Sequence, residues 1–438
     1  MSSPPHALPT ALPPAALLAY AAAHFGKSLL WFTGELLLIF ALTEHVGLSA
    51  VAAGFSVAGG LVVSAMMGLI AAQCWRADTN LARVGRTQWQ GIALAAVTLS
   101  LVFVTPLLPP AARLISVLLL SLPFRAAYAV GDVAQNTLLG LARWPWRGAR
   151  GVSAVRLIGS GLAALLVSAA IGLVLKAGDH NAASTALLIV ALVSSIALLS
   201  AWWLRQTLQL HVHPIAEVSA LIPAAQWQRA ELLPLAVLAT LTLALPTFTK
   251  LAPYLAQSQL GAAGWSSAVL ISYAMGTMLV QPLAARWPTA TLGRLVSCGA
   301  ALSLSGLVFA IATTRSTLWD AVLACAMGMA AGSINQWVWA RHAELVTTQT
   351  AAQQARGFAV LTASAQLALA AGSALIGLLL SACSHRVGAH HHLTWAMALG
   401  PIVCGTLCLL IACAAHGAAV FSGRSTTVPT RDLRNVID

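Results

Sequence analysis

Charge is scarce in this sequence. Only 8% of its 438 residues are Asp, Glu, Lys or Arg, and only 11 are acidic. Hydrophobic residues make up 59% and the mean hydropathy is +0.84. No water-facing surface can be assembled from that balance, which argues against a soluble multidomain enzyme and makes the bilayer the solvent. Paired cysteines are also missing. The seven cysteines lie mostly in apolar runs without a Cys-x-x-Cys, so they read as packing residues. No P-loop, Gly-x-Ser-x-Gly, His-Glu-x-x-His or dinucleotide fingerprint occurs. The expectation is therefore no enzyme activity, no cofactor and no metal. The histidines at His211, His213, His385 and His390–His392 lack helical spacing or acidic companions. The opening MSSPPHALPTALPP has no Lys or Arg, so it is expected to be a cytosolic tail and not a secretory signal.

What the sequence does have is long apolar runs. A spanning helix needs ~20 such residues. Twelve spans are expected, at 16–42, 50–73, 90–108, 111–140, 152–176, 183–204, 231–256, 264–285, 291–313, 318–342, 357–381 and 393–416. The longest polar interruption, 205–230, divides the chain into an N-terminal bundle (16–204) and a C-terminal bundle (231–416), with tails at 1–15 and 417–438. The halves echo each other. GVSAVRLIGSGLAALLVSAAIGLVL from Gly151 is matched by GFAVLTASAQLALAAGSALIGLLLS from Gly357. Twelve helices as two six-helix repeats is the layout of major-facilitator transporters, so the expected fold is all-α, integral to the membrane and pseudo-symmetric.

The net charge of +12 would ordinarily suggest a nucleic-acid partner. Its distribution gives another reason. Sixteen of the 23 Lys and Arg residues fall in or beside alternate loops and the C-terminal tail, and four (Arg113, Lys176, Arg315, Arg386) on the opposite side. That is the positive-inside pattern. It places both termini in the cytoplasm of a bacterial inner membrane, with the lipid bilayer and a small solute as partners, no nucleic acid, and a monomeric state.

The few charges inside spans carry the functional reading, because such groups face the bundle interior and are paired. Arg125, Tyr128, Asp132 and Asn136 are spaced 3, 4 and 4 residues apart, so the fourth span carries one polar stripe. Arg125 and Asp132 lie too far apart to pair, so each needs a partner on another helix. Arg156 and Lys27 are the candidates for Asp132. In the first span Ser28 and Glu35 share a face, with Lys27 and Trp31 beside it. An unpaired Glu35 in low dielectric would suit proton uptake and release. Pro246 and Pro253 break the seventh span, with Lys250 toward its outer end, where it could snorkel to the interface.

The run Tyr20…Phe25-Gly26-Lys27…Thr43…Gly47-Leu48-Ser49 resembles the first-helix region of the glycoside–pentoside–hexuronide:cation symporters, the group that contains melibiose permease. Tyr128-x-x-x-Asp132, Arg156, LALPTFTKLAPYLAQSQLGAA and HAELV before Arg356-Gly357 extend the resemblance along most of the chain. It implies the major-facilitator fold, a sugar-class solute and solute contacts at Lys27, Asp132 and Arg156. There are departures. Ser28 stands where the family carries Asp, the second span has no carboxylate, and Gln366 stands where the family often has Lys. The family's sodium site is thus largely absent, which turns the expectation from Na+ to H+.

The resulting expectation is a secondary transporter working by alternating access, with proton-coupled symport of a sugar-like or anionic solute. Lys27, Ser28, Trp31, Arg125, Tyr128, Asp132, Asn136, Arg156 and Gln366 bind the solute; Asp132 and Glu35 carry the proton. The alternatives are an exporter of a drug-like or secreted metabolite, and a membrane sensor or assembly partner that does not transport.

Overall fold

The computed structural model describes residues 12–421 except 39–41, 44–45, 77–78, 143, 145–147, 177, 211–228, 260–262, 290, 313–315, 348 and 383–389. The N-terminal tail to residue 11, most of the central loop, the C-terminal tail from 422, and His211, His213 and His385 lie outside the described residues.

Among the described residues the chain forms twelve long helical stretches. The first six are α1 (Pro14–Phe32, continued by a π-helical turn, Thr33–Leu37), α2 (Ala50–Gln73), α3 (Leu81–Val102), α4 (Pro110–Leu141), α5 (Gly148–Lys176) and α6 (Gly178–Gln209). The last six are α7, in two pieces, α7a (Arg229–Ala244) and α7b (Pro246–Gln259), then α8 (Ala263–Leu279), α9 (Gly293–Ala312), α10 (Thr317–Val346), α11 (Ala351–Ala382) and α12 (His390–Phe421). Eleven of these stretches are long and apolar enough to cross a membrane by length and composition. Their outward faces are unpaired hydrocarbon: Leu119, Leu188, Leu192, Leu199, Leu304 and Ile311 are all exposed. Such a belt is stable in lipid and insoluble in water. The protein is an integral, multi-pass membrane protein.

Local chemistry sets several helix starts, and two differ from the apolar runs. α3 begins at Leu81 and not near residue 90, because the Asn80 side chain accepts from Arg83 N at 2.9 Å and caps the helix. Arg83 and Arg86 therefore lie on helix, not loop. α11 begins at Ala351, six residues before the apolar run. Thr350 Oγ1 accepts from Gln353 N at 3.3 Å, and Gln353 Oε1 accepts from Thr350 N at 3.0 Å. That reciprocal pair is a capping box. The break in α7 falls at Leu245, just before Pro246, which has no N–H to donate and cannot continue the ladder.

The helices alternate in direction. One side of the bundle, here the near side, holds the start of α1 and the end of α12; the far side holds the starts of α2 and α10. The first six and last six helices touch on both. α2 and α11 make the most extensive contact between them. At the far side their backbones nearly meet: a Cβ on Gly54 would lie 3.0 Å from Gly377 Cα and from Ser373 O. At the near side Gly140 of α4 faces Gln354 and Phe358 of α11, and Arg150 pairs with Glu344 at 3.5 Å. The two halves thus meet on both sides of the space between them.

The Gly54–Gly377 contact is testable. Gly377→Val forces a side chain onto Ala50 O, 2.9 Å from the position of its Cβ. Overpacking of this kind costs about 1–3 kcal/mol, so a thermal melt of the purified protein should fall by several degrees. Gly59→Ala should not lower it, since nothing lies within 4 Å of that Cβ.

Candidate functional site

The site starts from a stripe on α1. His24, Lys27, Ser28 and Trp31 follow the 3-4 spacing of one helix face, and that face turns inward. A lysine there must be compensated, and α4 does it. Lys27 Nζ donates to Asp132 Oδ1 at 2.5 Å, and Asn136 Nδ2 donates to the other oxygen, Oδ2, at 2.9 Å. Lys27 is 2% exposed and Asp132 8%. Removing one partner of such a pair leaves an uncompensated buried charge. Of the two candidate partners for Asp132, Lys27 makes the contact.

A second cluster surrounds Glu35. The π turn Thr33–Leu37 places an extra residue in that turn and presents Glu35 sideways between two cations. Arg125 Nη2 of α4 lies 2.7 Å from Glu35 Oε1, and Lys250 Nζ of α7b lies 2.7 Å from Oε2. Arg125 also donates to Gly34 O at 3.1 Å and stacks its guanidinium on Trp31 and Phe124, at 5.4 and 5.3 Å from their centroids. Lys250 donates to Ser373 Oγ of α11 at 3.0 Å. Two expectations are corrected here. Glu35 is not unpaired; it holds two cations. Lys250 does not snorkel; the break before Pro246 turns it inward, where it is 3% exposed.

Arg156 on α5 is different. Its Nε donates to His24 Nε2 at 3.3 Å, and its guanidinium carbon lies 3.6 Å from the centroid of Trp339 on α10. Nη1 is buried without a hydrogen-bond partner. No carboxylate among the described residues pairs with it. His24 Nε2 also meets Ser160 Oγ at 2.9 Å, and Ser160 Oγ meets Ser28 Oγ at 2.9 Å. Accepting from Arg156 assigns the His24 proton to Nδ1.

These groups line two adjoining cavities, the two lobes of the site, of about 210 and 250 Å³. Trp31, Phe32, Leu157, Ser160, Thr242 and Asn335 belong to both walls and form the neck. The polar lobe takes His24, Lys27, Ser28, Asp132, Arg156 and Gln366. The other lobe lies between α5, α7 and α8 and is walled mainly by Leu241, Leu245, Leu270, Tyr273 and Ala274, with Glu35 and Lys250 at its edge. Both lobes draw on both six-helix groups.

A chain of this architecture can be compared with solved proteins. The major facilitator superfamily proton:xylose symporter XylE, bound to 6-bromo-6-deoxy-D-glucose, superposes with a TM-score of 0.63 over 92% of this chain and 94% of its own, at 13% identity. A bacterial homologue of the iron transporter ferroportin, in an outward-facing state, gives 0.62 over 91% and 99%, at 12% identity. The chain has the major facilitator fold. No protein-family model matches it, and no curated protein does.

Within the major facilitator fold the expected residues separate into two groups. Lys27, Ser28, Trp31, Tyr128, Asp132, Arg156 and Gln366 line the polar lobe. Arg125 and Asn136 do not line either lobe; they hold Glu35 and Asp132 from behind. Sequence reasoning passed over His24, Ser160 and Thr362, which share the wall; Trp339, which also shares it, is readable only as a deep tryptophan that could stack on a solute or simply pack. His24 had a readable signal, its place in the stripe His24–Lys27–Ser28–Trp31. Thr362 had none, since its significance comes from helices that meet only in the folded chain.

The Lys27–Asp132 pair yields a double-mutant test. Lys27→Met or Asp132→Asn alone should cost about 3–5 kcal/mol of stability, because each leaves a buried charge or its partner alone. The double variant, with neither charge, should recover most of that loss in the same unfolding measurement. Additive losses would show that the two side chains act independently.

Proposed function

We propose that this protein is a secondary active transporter that moves a small anionic solute by alternating access, coupled to protons through Asp132. The observation that carries the proposal is the cavity itself. It lies where the two six-helix groups meet, is lined from both, and is walled by buried charges. A structural ion-pair network has no need of an empty space beside it, nor of an arginine with an open nitrogen. Charged groups inside a membrane protein mark solute and proton pathways, and binding between the repeats is the usual arrangement for such folds.

Asp132 suits the proton role better than Glu35. It faces the cavity and is compensated by one lysine, so protonation releases one positive charge, that of Lys27. Glu35 is held by two cations, and protonating it would leave both without a carboxylate. The XylE neighbour is described as a proton:xylose symporter, which agrees with proton coupling on this scaffold. The resemblance to the glycoside–pentoside–hexuronide symporters favours a sugar, but the open Arg156 favours an anionic group on whatever is bound. The positive-inside pattern puts the near side in the cytoplasm.

Alternating access predicts opposed behaviour of the two sides. In a chain stripped of its native cysteines, Ala50→Cys reports the far side and Gln354→Cys the near side. With each rate divided by that of the denatured protein at the same pH, to remove the thiolate's own pH dependence, one labelling rate should rise as the other falls when pH is lowered. The double variant Lys27→Met/Asp132→Asn should lose that response. Labelling of both positions together, or no response to pH in the otherwise native protein, contradicts the proposal.

A further inference from the structure

The charge balance and the shape of the cavity say more about the solute. The polar lobe holds Lys27 and Arg156 against the single carboxylate of Asp132. Lys27 and Asp132 neutralise each other, so the surplus positive charge lies on Arg156. That guanidinium is 5% exposed and touches His24 and the face of Trp339. A ring face and a neutral imidazole stabilise a cation only in part. A buried cation with an unpartnered Nη1 on a cavity wall lacks a counter-anion.

The neighbouring lobe has a different character. Its hydroxyls are mostly spent on their own helices: Thr242 Oγ1 donates to Leu238 O at 2.9 Å, and Thr277 Oγ1 to Ala274 O at 2.7 Å. A polyol would bring a hydroxyl every carbon and find few free partners, and each unmet group would cost a buried hydrogen bond. Gln281 and Asn335, both on this wall, each have a buried amide oxygen without a hydrogen-bond partner, so the lobe offers acceptors for a donor or two at most. Most of the remaining wall is leucine, alanine and aromatic, and the two charges at its edge, Glu35 and Lys250, are paired with each other.

We infer that the cavity binds an organic anion with an apolar body. Its anionic group lies on Arg156, beside Trp339, and its body passes the neck at Trp31 and Asn335 into the lobe between α5, α7 and α8. This rests on the transporter reading and narrows it, setting a sugar aside in favour of an amphipathic monoanion. Arg156 is then the recognition residue, and the lobe walled by Leu241, Leu270 and Ala274 selects for apolar bulk.

The test uses the full-length protein in lipid nanodiscs, with empty nanodiscs as the partition control. The probes are the straight-chain carboxylates from acetate to decanoate, together with octanamide and gluconate; binding is read by thermal shift and tryptophan fluorescence. Affinity should rise about fourfold per methylene until the lobe is full. Octanoate should bind at least tenfold more tightly than octanamide. Arg156→Gln should erase that difference, and Arg156→Lys should keep much of it. Octanamide binding as tightly as octanoate, or gluconate binding more tightly than octanoate, overturns the inference. If Arg156→Gln does not fold, the octanoate–octanamide comparison on the native protein still decides. The transporter reading fails separately. If the carboxylates do not bind but the cysteines at positions 50 and 354 still label in opposition, only this solute class is lost.

Discussion

A charge in the interior of a membrane protein must meet a countercharge, and this chain has few to spend. Its first helix carries one of each sign, Lys27 and Glu35, and each organises a different part of the fold. Lys27 binds Asp132 and so fixes α1 to α4 within the first six helices. Glu35 binds Arg125 of that same group and Lys250 of the other. The π turn at Thr33–Leu37 makes both possible, because it re-aims Glu35 between α4 and α7b. The two clusters border the two lobes of the cavity, so the pairs that secure the helices also form the walls of the site.

The two pairs differ in what a conformational change would do to them. Lys27–Asp132 lies wholly inside one half and can persist through a rocking motion. Glu35–Lys250 crosses between halves, as does the Thr43 Oγ1–Tyr254 OH hydrogen bond at 3.0 Å. Both tie α1 to α7b toward the far side. On the near side the cross-half ion pair is weaker and wetter: Arg150 and Glu344 are partly exposed at 3.5 Å, and exposed pairs contribute little. The buried cross-half ion pair is therefore the one toward the far side, with Glu35 at its centre. A solute anion on Arg156 would add a third bridge, since Arg156 belongs to α5 and Trp339 to α10.

Much of this was legible in the sequence, for physical reasons. Long apolar runs have one outcome in a bilayer, so the number of helices and the major facilitator layout follow from hydropathy and the repeat. The stripe Arg125–Tyr128–Asp132–Asn136 is periodic, and its four residues do fall on one buried face of α4. The helix starts at Leu81 and Ala351 were hidden because caps, not hydropathy, set them. The inward turn of Lys250 was hidden because it depends on where a proline breaks the backbone. The partners of Glu35 were hidden most deeply. They lie 90 and 215 residues away along the chain, and a π turn has no distinct apolar period. Spacing on one helix can identify a polar face, but not which helix will meet it.

The central claim is that the Glu35–Lys250 bridge holds the far side closed. Spin labels at Leu107 and Leu318 measure it most directly, because both residues are exposed, both are on the far side, and each belongs to a different half. In nanodiscs the native protein should give a distance distribution dominated by the closed state. Lys250→Met should shift that distribution to longer distances while the near side stays shut. An unchanged distribution in the variant would mean that the bridge is only part of the helix interface, and that closure rests on the α2–α11 contact instead.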